Sequence, residues 1–146
     1  MKRTLTIIVS VLAAALITAP ASAKEASKEL AACLKAYHEV HDALAKDDLA
    51  GAKKAATDLA EKATPAKCGS TAKHAAELAK SDSLESARKH FKPISEECIK
   101  MAEGVDGQYV FHCPMAKSEW LQTDSKQVSN PYMGKKMPTC GSLKKS

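Results

Sequence analysis

Between Lys24 and Glu103, apolar residues recur every three or four positions. Leu30, Cys33, Leu34, Tyr37, His41 and Leu44 trace one stripe, the signature of an amphipathic helix. Asp47 and Asp48 interrupt it and can cap a second helix, whose stripe is Leu49, Ala52, Ala56, Leu59 and Ala63. The stretch TPAKCGS, residues 64–70, is a loop by its Pro, Gly and Ser. A short alanine-rich helix is expected from about Ser70 to Lys80. Ser81-Asp82-Ser83 then offers caps for a fourth, with Leu84, Ala87, Phe91, Ile94, Cys98 and Met101 on its stripe. Pro93 falls inside that stripe, and the unbroken periodicity predicts one kinked helix rather than two.

Four helices with short connections predict an up-and-down antiparallel bundle, or three helices if the third is only an irregular arm. The expected class is all-α, with residues 24–103 as the bundle. After Gly104 the pattern changes to turn glycines, then β-branched and aromatic residues, then a tail rich in Pro, Gly, Asn and Ser. Residues 104–146 are therefore expected to form a mostly irregular cap, rich in Cys and Met, with room for a short strand pair. Residues 24–146 make one domain.

The chain starts MKRTLTIIVSVLAAALITAPASA. A basic start, a short apolar run and a small-residue close at Ala21-Ser22-Ala23 predict a secretory signal peptide over residues 1–23. The remainder is then exported, to the periplasm or beyond, and not embedded in a membrane. Removing Lys2 and Arg3 lowers the formal charge from +5 to +3. That mild excess is spread along helices and mixed with acids, so nucleic acid is not an expected partner.

All five cysteines lie beyond the signal segment. An exported protein meets an oxidising compartment, and an odd count leaves at least one thiol unpaired, bridged elsewhere or metal-bound. In an up-and-down bundle Cys33, Cys68 and Cys98 fall at one pole. Cys33 and Cys68 are the expected disulfide, and Cys98 is a rival partner.

The remaining cysteines sit in a denser cluster. His112, Cys113, Met115, Met133, Met137 and Cys140 gather between FHCPM and NPYMGKKMPTCG. Thiolates and thioethers are soft donors that select Cu(I) or Ag(I); thiolates also take Zn(II) or Hg(II), but methionine is a poor ligand for zinc, so the Cys and Met set leans toward Cu(I). Cys113-Pro114-Met115 and Met137-Pro138-Thr139-Cys140 could close as two arms on one ion, with Met133 and His112 in reserve. His112 adjoins Cys113, but neighbours in an extended segment point opposite ways. A second reading stands beside this one: methionines fill cores, and a Cys113–Cys140 disulfide would pin an irregular tail. The two exclude each other, because a disulfide offers no thiolate.

The pattern YVFHCPMA, EWLQ and VSNPYMGKKMPTCG resembles the ending of a bacterial family, domain of unknown function three-three-four-seven. LKAYHEVHDALAKDDLAGAKKAATDLA resembles its first helix pair and ARKHFKPISEECIKM its last helix, so the resemblance spans about residues 30–141. Cys113, Met115, Asn130, Gly134, Met137 and Cys140 match the family's motif; Met133 departs from it, standing where an aromatic is usual. Members occur as exported proteins and as a tail on periplasmic adaptors of copper and silver efflux systems. The resemblance thus implies copper handling, with such an adaptor as partner, and carries no known activity of its own.

His38 and His41 lie a turn apart on the first helix, a weak metal signal beside core-like Tyr37 and Val40. His74 and His90 are expected to face solvent. Trp120 is expected to cover the Cys/Met motif, Asn130-Pro131 to form a turn, and Gly134 and Gly141 to take backbone conformations closed to other residues. There is no Cys-x-x-Cys, nucleophile elbow or phosphate loop, so the protein is not expected to be an enzyme. The expected function is to buffer Cu(I) or deliver it to an efflux system; the alternative is a structural or interaction domain without metal.

Overall fold

The computed structural model describes residues 25–63 and 68–144. The expected signal segment lies outside them. Four helices run in sequence: α1 (Lys28–Ala45), α2 (Leu49–Lys62), α3 (Thr71–Ala79) and α4 (Leu84–Met101). Their starts follow local chemistry. Ser27 accepts from Leu30 N (3.2 Å), Asp48 from Gly51 N (2.9 Å) and Ser83 from Ser86 N (3.2 Å). Each side chain thereby satisfies an amide that the first helical turn leaves unpaired. Pro93 sits within α4, which continues unbroken around it. Each helix packs on the next in the chain, and the first and last also touch.

The all-α expectation is overturned beyond Gly104. β1 (Tyr109–Cys113), β2 (Ser118–Gln122) and β3 (Ser142–Leu143) form an antiparallel sheet in the order β2-β1-β3, giving a mixed α and β fold in which helices dominate. Phe111 pairs with Trp120 and Cys113 with Ser118 across the hairpin. A short 3₁₀ turn, Gly134–Lys136, lies in the connection to β3. These strands are only two to five residues long and gain stability by packing on α4 through β2 rather than alone.

The core has two parts. The larger unites the helix stripes with Leu121 of β2; the smaller holds Phe111, Cys113 and Trp120. Tyr132 touches both, lying 5.7 Å from the Phe91 ring and 6.2 Å from Trp120. The wholly buried Tyr37 joins three elements. Its ring stacks on Phe91 at 5.2 Å, its hydroxyl meets Ser95 Oγ at 2.7 Å, and it accepts from Leu121 N at 3.0 Å. Among the described residues no helix is long and apolar enough to cross a membrane.

Candidate functional site

The hairpin turn after β1 carries the first arm of the Cys/Met cluster. Cys113 closes β1 and is wholly buried; Pro114 to Lys117 turn the chain, with Lys117 in the left-handed region at φ 47°. The turn aims backbone amides at sulfur. Ala116 N donates to Cys113 Sγ at 3.4 Å, and Met115 N faces the sulfurs of both Cys113 and Cys140. Successive amides converging on one point form an anion-binding nest of the kind that supports thiolates in metal clusters.

The second arm arrives from the far end of the cap. Cys140 brings its Sγ to 2.8 Å from Cys113 Sγ, between the roughly 2.05 Å of a disulfide bond and ordinary contact. Asn130 holds this arm. It is fully buried, its amide donates to the Cys140 carbonyl at 2.5 Å, and its Oδ1 accepts from Tyr132 N (2.9 Å) and Met133 N (3.0 Å). Asn130 N also donates to the Pro138 carbonyl at 2.9 Å. The Asn130-Pro131 pair predicts a turn. The turn is there, but the contact to Cys140 ten residues on had no local signal.

The two thiols are inequivalent. Burial opposes ionisation of Cys113, but hydrogen bonds from the Cys140 thiol, Ala116 N, Asn130 and Met115 N outweigh it and hold its thiol below the ordinary range. Cys140 is pushed upward, first by its hydrogen bond to Cys113 and then by burial. Of the reduced pair, Cys113 is the thiol that ionises more readily and Cys140 the one that holds its proton more tightly.

The methionines divide. Met115 (66% exposed) and Met137 (37%) stand in solvent on the two arms, although they are large apolar side chains. Met133 instead packs against the Phe111, Cys113 and Trp120 cluster. His112 follows strand alternation: Phe111 and Cys113 point into that cluster, so His112 leaves on the opposite face of the sheet. Trp120 does cover the site, wholly buried with its ring stacked on Phe111 at 5.8 Å. Gly141, at φ 139°, passes so close to Trp120 that a Cβ there would lie 2.7 Å from the indole Cη2.

The other histidines are committed elsewhere. His41 Nδ1 faces Asp42 Oδ1 at 2.8 Å and its Nε2 faces the Ser129 carbonyl at 2.9 Å; His38 Nε2 meets Gln108 Oε1 at 2.8 Å. Burial holds the His38 imidazole below its usual range. His74 and His90, expected in solvent, are half-buried, with ring centroids 6.3 Å apart. At the bundle pole Cys33 and Cys68 do meet, with sulfurs 3.4 Å apart and not bonded, and Cys33 also hydrogen-bonds to Cys98.

Among the described residues no group of three or more His, Cys, Asp and Glu side chains is placed to hold a metal ion. A groove of about 810 Å³ beside α4 and the sheet, lined by Ile99, Tyr109, Val110, Leu121 and Leu143, contains none of the cysteines.

The bundle and its hairpin cap define a small mixed α and β module, mostly helical, in which two cysteines meet. Residues 33–108 match the family described as "Protein of unknown function (DUF3347)", and the chain belongs to it. The matched residues run from within α1 through the rest of the bundle and stop short of the Cys/Met motif. No curated protein and no solved structure matches the chain.

Proposed function

We propose that this protein binds a soft monovalent ion, Cu(I) above Ag(I), between Cys113 and Cys140, and buffers it or passes it to an efflux system. The observation that carries this is the convergence of the Cys113 and Cys140 sulfurs beside the Ala116 amide, with Met115 and Met137 exposed on the two arms; the sulfurs, 2.8 Å apart, would separate to admit the ion. Cu(I) favours few, polarisable donors. The nest stabilises the Cys113 thiolate before any ion arrives, and Cys140 supplies the second once its proton leaves. Two thiolates more than offset one positive charge. Exposed thioethers are weaker donors, suited to an ion that must be handed on. Met133 packs, and His112 lies on the wrong face to serve. Export to the periplasm and an efflux adaptor as partner belong to the same proposal.

A second reading rests on the same distance. Sulfurs this close can oxidise to a Cys113–Cys140 disulfide, which would make the motif a staple for the cap. Competition with a Cu(I) chelator under reducing conditions separates the two. Cys113→Ser and Cys140→Ser should nearly abolish binding, while Met115→Leu and Met137→Leu should weaken it and leave the fold intact. If the wild type binds no more tightly than the Cys113→Ser, Cys140→Ser double variant, the staple reading replaces the metal one.

A further inference from the structure

The remaining three cysteines gather in the bundle core, and this group does not depend on the Cu(I) site. Cys33 of α1 meets both of the others. Its sulfur is 3.4 Å from Cys68, just ahead of α3, and it hydrogen-bonds to Cys98 of α4. Cys33 and Cys98 are fully buried, whereas Cys68 keeps about 5% of its surface exposed. A disulfide from Cys33 to Cys68 would tie α1 to α3, and one to Cys98 would tie α1 to α4. Both use the same Cys33 sulfur, so only one can exist at a time. Whichever forms, the third thiol remains beside it.

We propose that Cys68, Cys33 and Cys98 form a thiol–disulfide relay in which oxidation enters at Cys68, bridges to Cys33 and then moves inward to Cys98. The oxidant is a small disulfide such as glutathione disulfide. The Cys68 thiolate attacks it, giving a Cys68–glutathione mixed disulfide and one glutathione thiolate. The Cys33 thiolate then attacks the Cys68 sulfur, forming the Cys33–Cys68 bond and releasing the second glutathione thiolate. Two protein thiols are oxidised, one glutathione disulfide is reduced to two thiols, and the two protein protons pass to the departing thiolates. In the last step the Cys98 thiolate attacks the Cys33 sulfur, the new bond forms, and Cys68 leaves as thiolate and takes up a proton. No net oxidation occurs in that step.

The electrostatics fit this order. Hydrogen bonding from Cys98, opposed by burial and helped by Cys68, lowers the Cys33 thiol to about 7, so it is ready to attack. The hydrogen bond to Cys33, together with burial, pushes Cys98 well above the ordinary thiol range, so its step should be slow.

The test is time-resolved peptide mapping of the reduced, folded full-length protein exposed to glutathione disulfide, quenched by acid and alkylation. The five cysteines fall in five different tryptic peptides, so each bond is read separately. Glutathionylated Cys68 and the Cys33–Cys68 bond should come first, and the Cys33–Cys98 bond should grow later at their expense. Cys98→Ser should stop at Cys33–Cys68. Cys68→Ser should slow bridging at Cys33 by about tenfold or more, because the entry thiol is gone. Circular dichroism confirms that each variant folds. A Cys68–Cys98 bond, first modification at Cys98, undiminished bridging in Cys68→Ser, or no reaction in the folded wild type would each overturn the relay.

Discussion

Arg88 of α4 reaches Asp47, in the turn after α1, with Nη2 2.5 Å from Oδ1. The same guanidinium donates to the Leu44 carbonyl at 3.0 Å and, through Nε, to the Pro131 carbonyl at 2.8 Å. The other Asp47 oxygen accepts from Lys135 N at 3.0 Å. One ion pair thus joins α1, α4 and the segment leading to the Cys140 arm. Asp47 stands at φ 58°, a conformation that few residues other than glycine adopt, and these contacts hold it there.

The pair predicts a pH dependence. The Arg88 hydrogen bond, against some burial and with help from Lys135 N, holds the Asp47 carboxyl below its usual range. A depressed carboxyl adds stability that is complete above the unfolded-state pKa and is lost as pH falls through the lowered one. Asp47→Asn should therefore be less stable than wild type near neutrality, and the gap should close on acidification. Urea unfolding at several pH values reads this. A gap independent of pH would show that the charge is not what matters.

Gly134 is required where it stands. It has φ 52°, and a Cβ there would collide with the Asp47 carboxylate and the Arg88 guanidinium. Gly134→Ala should cost on the order of 1–3 kcal/mol and loosen the Cys140 arm. Gly104→Ala is the control, since its φ is also positive at 75° but nothing lies within 4 Å of a Cβ there. Equal losses of thermal stability in the two variants would refute the collision.

Tyr37→Phe keeps the buried ring but removes the acceptor of Leu121 N. An unpaired buried amide costs about 1–3 kcal/mol. Urea unfolding should register that loss, and the Leu121 amide should exchange hydrogen faster than its neighbours on β2. Unchanged exchange there would mean that another acceptor takes over.

In the reduced protein Cys33 should ionise near neutrality. Thiolate absorbance should show a step with a midpoint of about 7. Cys98→Ala, which removes the donor that does most to lower it, should move that step upward, and Cys33→Ser should abolish it. A step that survives Cys33→Ser belongs to another thiol.

The helices, the caps of α2 and α4 and the meeting of Cys33, Cys68 and Cys98 were legible in the sequence because they depend on neighbours three or four residues apart and on short connections. Ser83 caps α4 for reasons contained in residues 83–86. The sheet was not legible in this way. YVFHC and SEWLQ are five-residue strands that gain from packing on α4, and the two residues of β3 pair with β1 from some thirty positions away. Clustered soft side chains pointed to Cys113 and Cys140, but not to the amide nest beneath them or to Asn130 bridging to Cys140. The division between Met115 and Met137 in solvent and Met133 in the core also came only with the fold. The sequence alone determined which residues could be ligands and which faces of the helices are apolar. The tertiary structure decided which sulfurs meet, because long-range closure costs chain entropy that only the assembled core repays.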